Sequence, residues 1–281
     1  MKLLTLAYSP DTDDAFMIEP LRLGLISSLG YKFEFITAEI QELNDLAVKG
    51  TYDITAISMA AYPFIQDQYL LMRVGASIGE GWGPAVVVNH DSGITSIEGL
   101  KGKKIAIPGA MTSAHFAAKA VLPDFEAHFL PFLEIEDAVL SGQVDAGILI
   151  HELQIEVEQS GLKKLSDLGT LWAAKYSLPL PLGANAIKRD LGPERIHLLN
   201  SIYKASIEYA LRYRSEILPR VRDIAHPGMS NADAERYITM YVNKRSLTLD
   251  DDVKSGMKVL FGIGEKFGLC GATAIEHNIV S

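Results

Sequence analysis

The sequence predicts an α/β fold with two similar lobes and a ligand cleft between them. Short apolar runs alternate with stretches of helical period along the 281 residues, the pattern of an α/β chain. A helix end, a glycine, an aspartate and an apolar strand follow one another at 45–58 and again at 137–150. A looser repeat pairs the strand and turn at 2–16 with those at 104–116. Two repeats in the same order favour two lobes, whose functional residues should lie where strands end.

The predicted strands are short and mostly apolar, at Leu3–Tyr8, Lys32–Thr37, Ile54–Ile57, Ala85–Asn89, Lys104–Ile107 and Ala146–Ile150. The predicted helices of the first two thirds are Ala15–Gly24, Ile40–Lys49, Ser113–Val121, Ile135–Ser141 and Gln154–Ser160. The last third is almost wholly helical in period, over Pro193–Ile224 and Asn231–Phe267, with Asn231 and Thr248 as N-caps. Gly50 and Gly142 follow apolar helix ends, where a left-handed cap is expected.

The chain is expected to cross between the lobes twice. Residues 80–84 lead into the strand at 85–89. The proline-rich stretch 178–183 leads back as an extended connector, because its prolines disfavour a helix. The predicted larger lobe is therefore discontinuous, residues 1–87 plus 184–281, and the smaller lobe is 88–183.

Composition and charge narrow the class of function. The net charge of −9 repels phosphate backbones, which argues against nucleic acid and anionic membrane as partners. No segment approaches a transmembrane span and the first residues lack a signal-peptide pattern, so we expect a cytoplasmic protein.

The single cysteine, Cys270, can form no intrachain disulfide. The spacing of Asp11, Asp13 and Asp14 lacks the glycine and distal glutamate of a calcium loop, so no metal site is expected. The sequence does not indicate an oligomeric state.

His151 stands at the end of the predicted strand 147–150, which has no polar alternation and should be buried on both faces. A lone histidine more often packs in a core or lies on the surface than catalyses. A strand end at a cleft favours catalysis, because a neutral imidazole with a pKa near ~6.5 can accept a proton at neutral pH. Glu152 receives no role, and His115 is expected to be a surface residue.

Three strand-to-helix turns should meet at the cleft, one at 9–16, one at Ser58, and one at Thr112, Ser113 and Ala114. Unpaired N–H groups at a helix start can bind a carboxylate or phosphate. Plain N-capping by a hydroxyl is commoner, and the two uses are compatible. Asp13 and Asp14 complement a helix dipole and could also bind ligand hydroxyls.

Six stretches resemble the 1,4-dihydroxy-6-naphthoate synthase family of menaquinone biosynthesis. They are SPDTDDAFM at 9–17, TAISMAAYPF at 55–64, IPGAMTSAHF at 107–116, GQVDAGILIHE at 142–152, LPLPLGANAIKRDLG at 178–192 and YVNKRSLTLD at 241–250. They run over nearly the whole chain in the family's order. The first motif departs from the family's S-P-C-P-N-D: Asp11, Thr12 and Asp13 replace Cys, Pro and Asn, while Asp14 matches.

The resemblance implies a type II periplasmic-binding-protein fold. It also implies cleavage of cyclic de-hypoxanthine futalosine to 1,4-dihydroxy-6-naphthoate and dihydroxyacetone, a carbon–carbon lyase reaction that calls for no metal or redox cofactor. The family's proton acceptor falls on His151, and the expected substrate-binding residues are Asp14, Ala56, Ile57, Ser58, Thr112, Ser113 and Ala114. Because the product carries a carboxylate, the expected partner is a small-molecule carboxylate substrate.

Two alternatives remain open. One is a solute-binding protein of the same fold, which would normally carry a signal peptide and would need no base. The other is chorismate dehydratase, the related enzyme of the same pathway. The IHE sequence at the strand end and the SPDTDDAF motif favour the naphthoate synthase.

Overall fold

The computed structural model describes residues 3–155, 157, 160–225 and 227–280. Its strands are β1 (Leu3–Tyr8), β2 (Lys32–Thr37), β3 (Ile54–Ser58), β4 (Tyr69–Leu71), β5 (Ser77–Gly79), β6 (Ala85–Asn89), β7 (Lys104–Ile107), β8 (Glu126–Phe129), β9 (Ala146–Leu149), β10 (Leu162–Asp167) and β11 (Leu180–Lys188). All six predicted strands are confirmed, with one-residue differences at the carboxyl ends of β3 and β9. The connector expected at 178–183 is largely part of β11 instead.

The strands form two mixed sheets. In the first, the order is β2-β1-β3-β11-β4, and β5 also pairs with β11. In the second, the order is β10-β6-β9-β7-β8. Parallel pairing joins β1 to β2 and β3 in the first sheet, and β7 to β8 and β9 in the second. The predicted lobe bounds of 1–87 plus 184–281 and 88–183 remain a prediction; the two points at which the chain would cross fall within β6 and β11.

The repeated aspartate has the same structural role in both sheets. Asp53, just before β3, accepts a hydrogen bond from the backbone N–H of Thr5 in β1 at 2.9 Å. Asp145, just before β9, accepts one from the backbone N–H of Lys104 in β7 at 2.9 Å. The preceding glycines, Gly50 and Gly142, are left-handed with φ of 65° and 74°, as expected for helix caps. Each aspartate therefore fixes the start of an inner strand against its parallel neighbour.

The α-helices are α1 (Thr12–Arg22), α2 (Ile40–Val48), α3 (Tyr62–Ile65), α4 (Ser113–Val121), α5 (Ile135–Leu140), α6 (Leu168–Tyr176), α7 (Pro193–Arg212), α8 (Arg214–Ala225), α9 (Asn231–Tyr241) and α10 (Asp251–Lys266). Single 3₁₀ turns include Met59–Ala61 and His151–Gln154. The helix expected at Gln154–Ser160 falls partly on residues 156, 158 and 159, which lie outside the described residues. No helix in the described ranges is long and apolar enough to cross a membrane.

One predicted helix start and two predicted N-caps were wrong. α1 begins at Thr12 and not Ala15, because the Asp11 side chain accepts from the N–H of Asp14 and caps the helix earlier. α9 is capped by Ser230 and not Asn231, since its hydroxyl accepts from the N–H of Asp233. Thr248 is extended, and the last helix begins after Asp250.

The two sheets share an apolar core. One cluster joins side chains of the second sheet, such as Val86 and Ile148, to Ile57 and Leu180 of the first through α4, α6 and α10. A second cluster fills the other side of the first sheet against α1 and α7. The parallel strands β1, β3, β7 and β9 are nearly fully buried, so only the residues beyond their carboxyl ends can meet a ligand.

Candidate active site

A cleft of about 650 Å³ is lined by turns that follow the strands of both sheets. All eight residues that the sequence singled out lie on its wall: Asp14, Ala56, Ile57, Ser58, Thr112, Ser113, Ala114 and His151. Asp11, Asp13, Gln154, Tyr237 and Tyr241, which were not among them, line it too. The structure thus brings together residues as far apart in sequence as Asp11 and Tyr241.

The turn between β1 and α1 places three carboxyl groups in the cleft. Asp11 caps α1 through its Oδ1 atom, 3.4 Å from the N–H nitrogen of Asp14. Asp13 accepts from the hydroxyls of Ser77 at 2.7 Å and Tyr237 at 3.3 Å. Asp14 Oδ2 accepts from the backbone N–H of Ser9 at 3.1 Å. Each carboxyl is therefore held in one orientation by its own partner.

His151 begins the turn after β9. Ile150 is still extended, whereas His151 has a left-handed backbone with φ of 54°. Its Nδ1 atom lies 2.6 Å from Oδ2 of Asp11. Its Nε2 atom is buried and has no hydrogen-bond partner among the described residues. The ring of Phe132 packs edge-on against the imidazole, with 4.9 Å between ring centroids.

Glu152, to which the sequence assigned no role, joins the two sheets. Its Oε1 atom accepts a hydrogen bond from the backbone N–H of Thr12 at 2.7 Å, and the residue is 5% exposed. Gln154 accepts a hydrogen bond from the hydroxyl of Tyr241 in α9 at 2.9 Å. The segment after β9 is therefore bonded to the start of α1 and to α9, on the opposite wall of the cleft.

The ion pair of Asp11 and His151 sets the charges of this region. Burial works to raise the pKa of Asp11, but the positive charge and hydrogen bond of His151 lower it below its usual value. Burial works to lower the pKa of His151, but the charge and hydrogen bond of Asp11 raise it above the usual value. Burial, and then the charge of Asp11, raise the pKa of Asp13 well above the usual range and that of Asp14 to about 8.

The start of α4 forms a different part of the wall. Thr112 is the N-cap, with its Oγ1 atom 3.3 Å from the backbone nitrogen of His115. The Ser113 hydroxyl donates to the carbonyl of Leu182 at 2.6 Å and accepts from the N–H of Ala60 at 3.1 Å. The expected capping is thus confirmed. Because the first N–H groups of a helix have no intrahelical acceptor, those of Ser113 and Ala114 can face a ligand.

The turn after β3 offers fewer donors than expected. The backbone N–H of Ser58 donates to Oδ1 of Asn44 at 2.9 Å, and its hydroxyl accepts from the Asn44 amide at 3.1 Å. The N–H of Ala60 is used by Ser113. Anion binding through backbone N–H groups is therefore better served by the start of α4 than by the turn at Ser58.

Comparison with known proteins places this arrangement in a family. Residues 4–266 match the family model described as menaquinone biosynthesis. The chain belongs to the menaquinone biosynthesis family. It is 32% identical to a 1,4-dihydroxy-6-naphtoate synthase of Thermus thermophilus, over 96% of each protein. It is 30% identical to a 1,4-dihydroxy-6-naphtoate synthase of Streptomyces coelicolor, over 96% of this chain and 95% of that protein.

Solved structures confirm the expected fold for this member of the menaquinone biosynthesis family. Protein AF1704 from Archaeoglobus fulgidus superposes with a TM-score of 0.88 and 37% identity, covering 95% of this chain and 98% of that one. The alkanesulfonate-binding protein SsuA from Xanthomonas axonopodis pv. citri gives a TM-score of 0.77 at 16% identity, covering 99% and 97%. The latter likeness concerns the fold alone, which is that of periplasmic binding proteins.

One expectation for this menaquinone biosynthesis protein was wrong. His115 is not a surface residue: it is 3% exposed, with Nδ1 at 2.8 Å from the carbonyl oxygen of Ala110. Its ring packs against Phe129, at the end of β8, with 5.1 Å between centroids. Burial lowers the pKa of His115. The first turn of α4 faces the core here, so His115 stabilises the turn before the helix.

Donor atoms of Asp11, Asp13 and His151 lie within 4.8 Å of one another, near enough for one metal ion to contact all three. In this structure the carboxylate of Asp11 bonds the imidazole, and that of Asp13 bonds Ser77 and Tyr237. We therefore interpret the cluster as acid–base machinery. The expectation of no metal site stays a prediction.

Proposed function

We propose that this protein is a cytoplasmic carbon–carbon lyase that converts cyclic de-hypoxanthine futalosine to 1,4-dihydroxy-6-naphthoate and dihydroxyacetone. The relatives named as 1,4-dihydroxy-6-naphtoate synthases, similar over 96% of the chain, support this activity. The observation that carries it in the site is the Nε2 atom of His151, which is buried in the cleft wall and has no hydrogen-bond partner within the described ranges of the chain. A solute receptor has no need of such a base.

In this proposal His151 removes a proton from the bound substrate. The proton passes to Nε2, and the electron pair it leaves behind forms a new double bond as the carbon–carbon bond to the three-carbon fragment breaks. The pair of the broken bond stays on the other fragment, to which the imidazolium can return the proton. General-base catalysis of this kind contributes typically about 10²–10⁴-fold in rate. The base must be neutral before each turnover, so activity should fall at low pH as the imidazole becomes protonated.

The start of α4 is the proposed site for the substrate carboxylate. The N–H groups of Ser113 and Ala114 lie at the positive end of the helix dipole, and small side chains let a ligand approach the backbone. Each charge-assisted hydrogen bond should contribute about 1.5–3 kcal/mol. A local device of this kind is needed, because the protein's net charge of −9 repels anions.

The other predicted residues complete the site in this proposal. Ala56 and Ile57, at the end of β3, form an apolar wall for the aromatic ring, and Ser58 ends that wall. Asp14 can hydrogen-bond a substrate hydroxyl. Bonds across the cleft, such as that from Thr12 to Glu152, keep the walls together and water out, which strengthens electrostatic interactions inside.

The test is direct conversion. Purified protein is incubated with cyclic de-hypoxanthine futalosine, and both products are followed by mass spectrometry, with His151→Asn as the matched control. We expect naphthoate and dihydroxyacetone in equal amounts from the wild type. Binding of the substrate without turnover would favour a receptor. Turnover of chorismate in place of the futalosine derivative would favour a dehydratase.

A further inference from the structure

We propose that Asp11 is the positioning residue of the base: it holds His151 in one tautomer and orientation across the cleft. This inference rests on the proposed role of His151 and deepens it. Asp11 lies between β1 of the first sheet and α1, which it caps, and His151 follows β9 of the second sheet. The sequence separates the two residues by 140 positions, so the pair exists only because the two sheets meet.

The contact geometry determines which ring nitrogen is the base. With Oδ2 of Asp11 at 2.6 Å from Nδ1 of His151, the ring proton of a neutral imidazole lies on Nδ1. The lone pair is then on Nε2, the atom without a protein partner in the described part of the chain. In the opposite tautomer, Nε2 would carry the proton and present a donor to the substrate. The lone pair of Nδ1 would then face the acceptor oxygen of Asp11. A carboxylate in this position serves the same purpose in Ser-His-Asp enzymes.

The electrostatics favour proton uptake at this position. The ionisable groups that line the cleft with His151 or act on its charge are acids or phenols: Asp11, Asp13 and Asp14 of the turn between β1 and α1, Glu152, and Tyr237 and Tyr241 of α9. Of these, Asp11 makes the direct contact and is ionised. Its negative charge stabilises the imidazolium that forms when the base takes a proton. Burial alone would make His151 a weaker base than free imidazole.

Asp11 is itself held from the other side. Its Oδ1 atom caps α1 while Oδ2 meets the imidazole, so both oxygens have fixed partners. The residues that follow Asp11 and His151 also contact each other, because Glu152 accepts a hydrogen bond from the N–H of Thr12 at 2.7 Å. Two consecutive residues of one wall thus contact two consecutive residues of the other. Separation of the walls would break both contacts, so the base is set in its working tautomer only when the cleft is closed.

The test uses two variants that keep the helix cap. Asp11→Asn has the same shape and still accepts from the Nδ1–H, but it carries no charge. Asp11→Ser caps equally well but is too short to reach the ring. The pKa of His151 is measured by NMR on histidine-labelled, ligand-free protein, with the His151→Asn spectrum assigning the resonance. Steady-state kinetics are measured over pH for all proteins.

We expect the pKa of His151 to fall in both variants, and the acid limb of the rate profile to move to lower pH with it. The loss in kcat should be about 10–100-fold, less than for loss of the base, with KM changed little. The serine variant should lose more activity than the asparagine variant, because it also leaves the imidazole of His151 free to reorient.

An unchanged His151 pKa in Asp11→Asn would overturn the inference, whatever the change in rate. So would equal activity of folded Asp11→Asn and wild type across pH. If Asp11→Ser does not fold, Asp11→Asn alone decides. Failure of the proposed function is distinguishable: a wild type that turns over no substrate refutes the lyase, while the titration still decides whether Asp11 controls the imidazole.

Discussion

Replacement of His151 by asparagine removes the proposed base while keeping most of its surroundings. His151 has a left-handed backbone with φ of 54°, a conformation that asparagine tolerates better than most residues. The asparagine amide can still donate a hydrogen bond toward Asp11. Alanine offers neither property, and it would leave a buried carboxylate without its charged partner. His151→Asn therefore separates the loss of basicity from the loss of structure.

The expected magnitudes differ between the two variants. Loss of a general base should lower kcat about 10²–10⁴-fold, equivalent to about 3–5 kcal/mol of activation free energy. Breaking a buried ion pair by removing one partner costs about 3–5 kcal/mol of stability, which is the expectation for His151→Ala. His151→Asn should lose about 1–2 kcal/mol, because a hydrogen bond to Asp11 remains. Substrate affinity should change little in a folded variant.

The pH dependence of stability provides a second check. Because the folded pKa of His151 is raised, its stabilising contribution is present below the unfolded pKa of about 6.5 and is lost as pH rises through the folded value. The folded pKa of Asp11 is lowered, so its contribution is present above about 3.9 and is lost as pH falls through the folded value. The wild type should therefore exceed His151→Asn in stability most clearly between about pH 4 and 6.5.

The assay combines chemical denaturation with kcat and KM over pH. Near wild-type turnover by His151→Asn would refute the base assignment. His115 could not replace it as the base, since that residue is buried against Phe129 away from the cleft wall.

Three further predictions concern other parts of the molecule. The folded pKa of Asp14 is about 8, above its unfolded value, so the stabilising contribution of its neutral carboxyl group is lost as pH rises to 8. Asp14→Asn cannot ionise and should therefore have a higher Tm than the wild type at pH 8 and a similar Tm at pH 4. In α10, a Cβ added at Gly262 meets nothing within 4 Å, so Gly262→Ala should stabilise the protein by about 0.5–1 kcal/mol. A Cβ added at Gly264 would lie 2.3 Å from Phe116, so Gly264→Ala should destabilise it by about 1–3 kcal/mol. Denaturant unfolding measures both. Dialysis against a chelator should leave turnover unchanged; activity that returns only with a divalent cation would contradict the acid–base interpretation.

The strands that carry the site were predictable because burial on both faces leaves a clear apolar run. This holds for β1, β3, β7 and β9, which are followed by the residues of the cleft. β11 was predicted only as an extended connector, because its prolines argue against a sheet interior. The structure accommodates Pro181 through a register shift between β11 and β5. The three-residue strands β4 and β5 are too short to show a period.

The site was only partly predictable, for a different reason. His151 was predicted because it lies at the end of a strand, and Ser113 because it lies in a turn at the start of a helix. Asp11 was visible only as an acidic residue that departs from the family motif, because its partner lies 140 residues away. Glu152 was likewise ambiguous, since nothing local indicates that the N–H of Thr12 comes within 2.7 Å. A contact between two lobes leaves no periodic signal in either one.

The acidic start of α1 carries less negative charge than its three carboxyl groups suggest, because burial raises the pKa of Asp13 and Asp14. Asp11 is ionised, and His151 balances its charge when protonated. Burial first, and then the charge of Asp11, raise the pKa of Asp13 well above the usual range and that of Asp14 to about 8, which favours the neutral form of both. A neutral carboxylic acid can donate a hydrogen bond, which an ionised one cannot. In the proposed mechanism, Asp11 supplies the charge that serves the base, and Asp14 in its neutral form can donate to a substrate hydroxyl. The ionised Asp11 raises the pKa values of Asp13 and Asp14. If the proposed mechanism holds, the charge that strengthens His151 as a base therefore also reduces the repulsion of a carboxylate substrate by the rest of the turn.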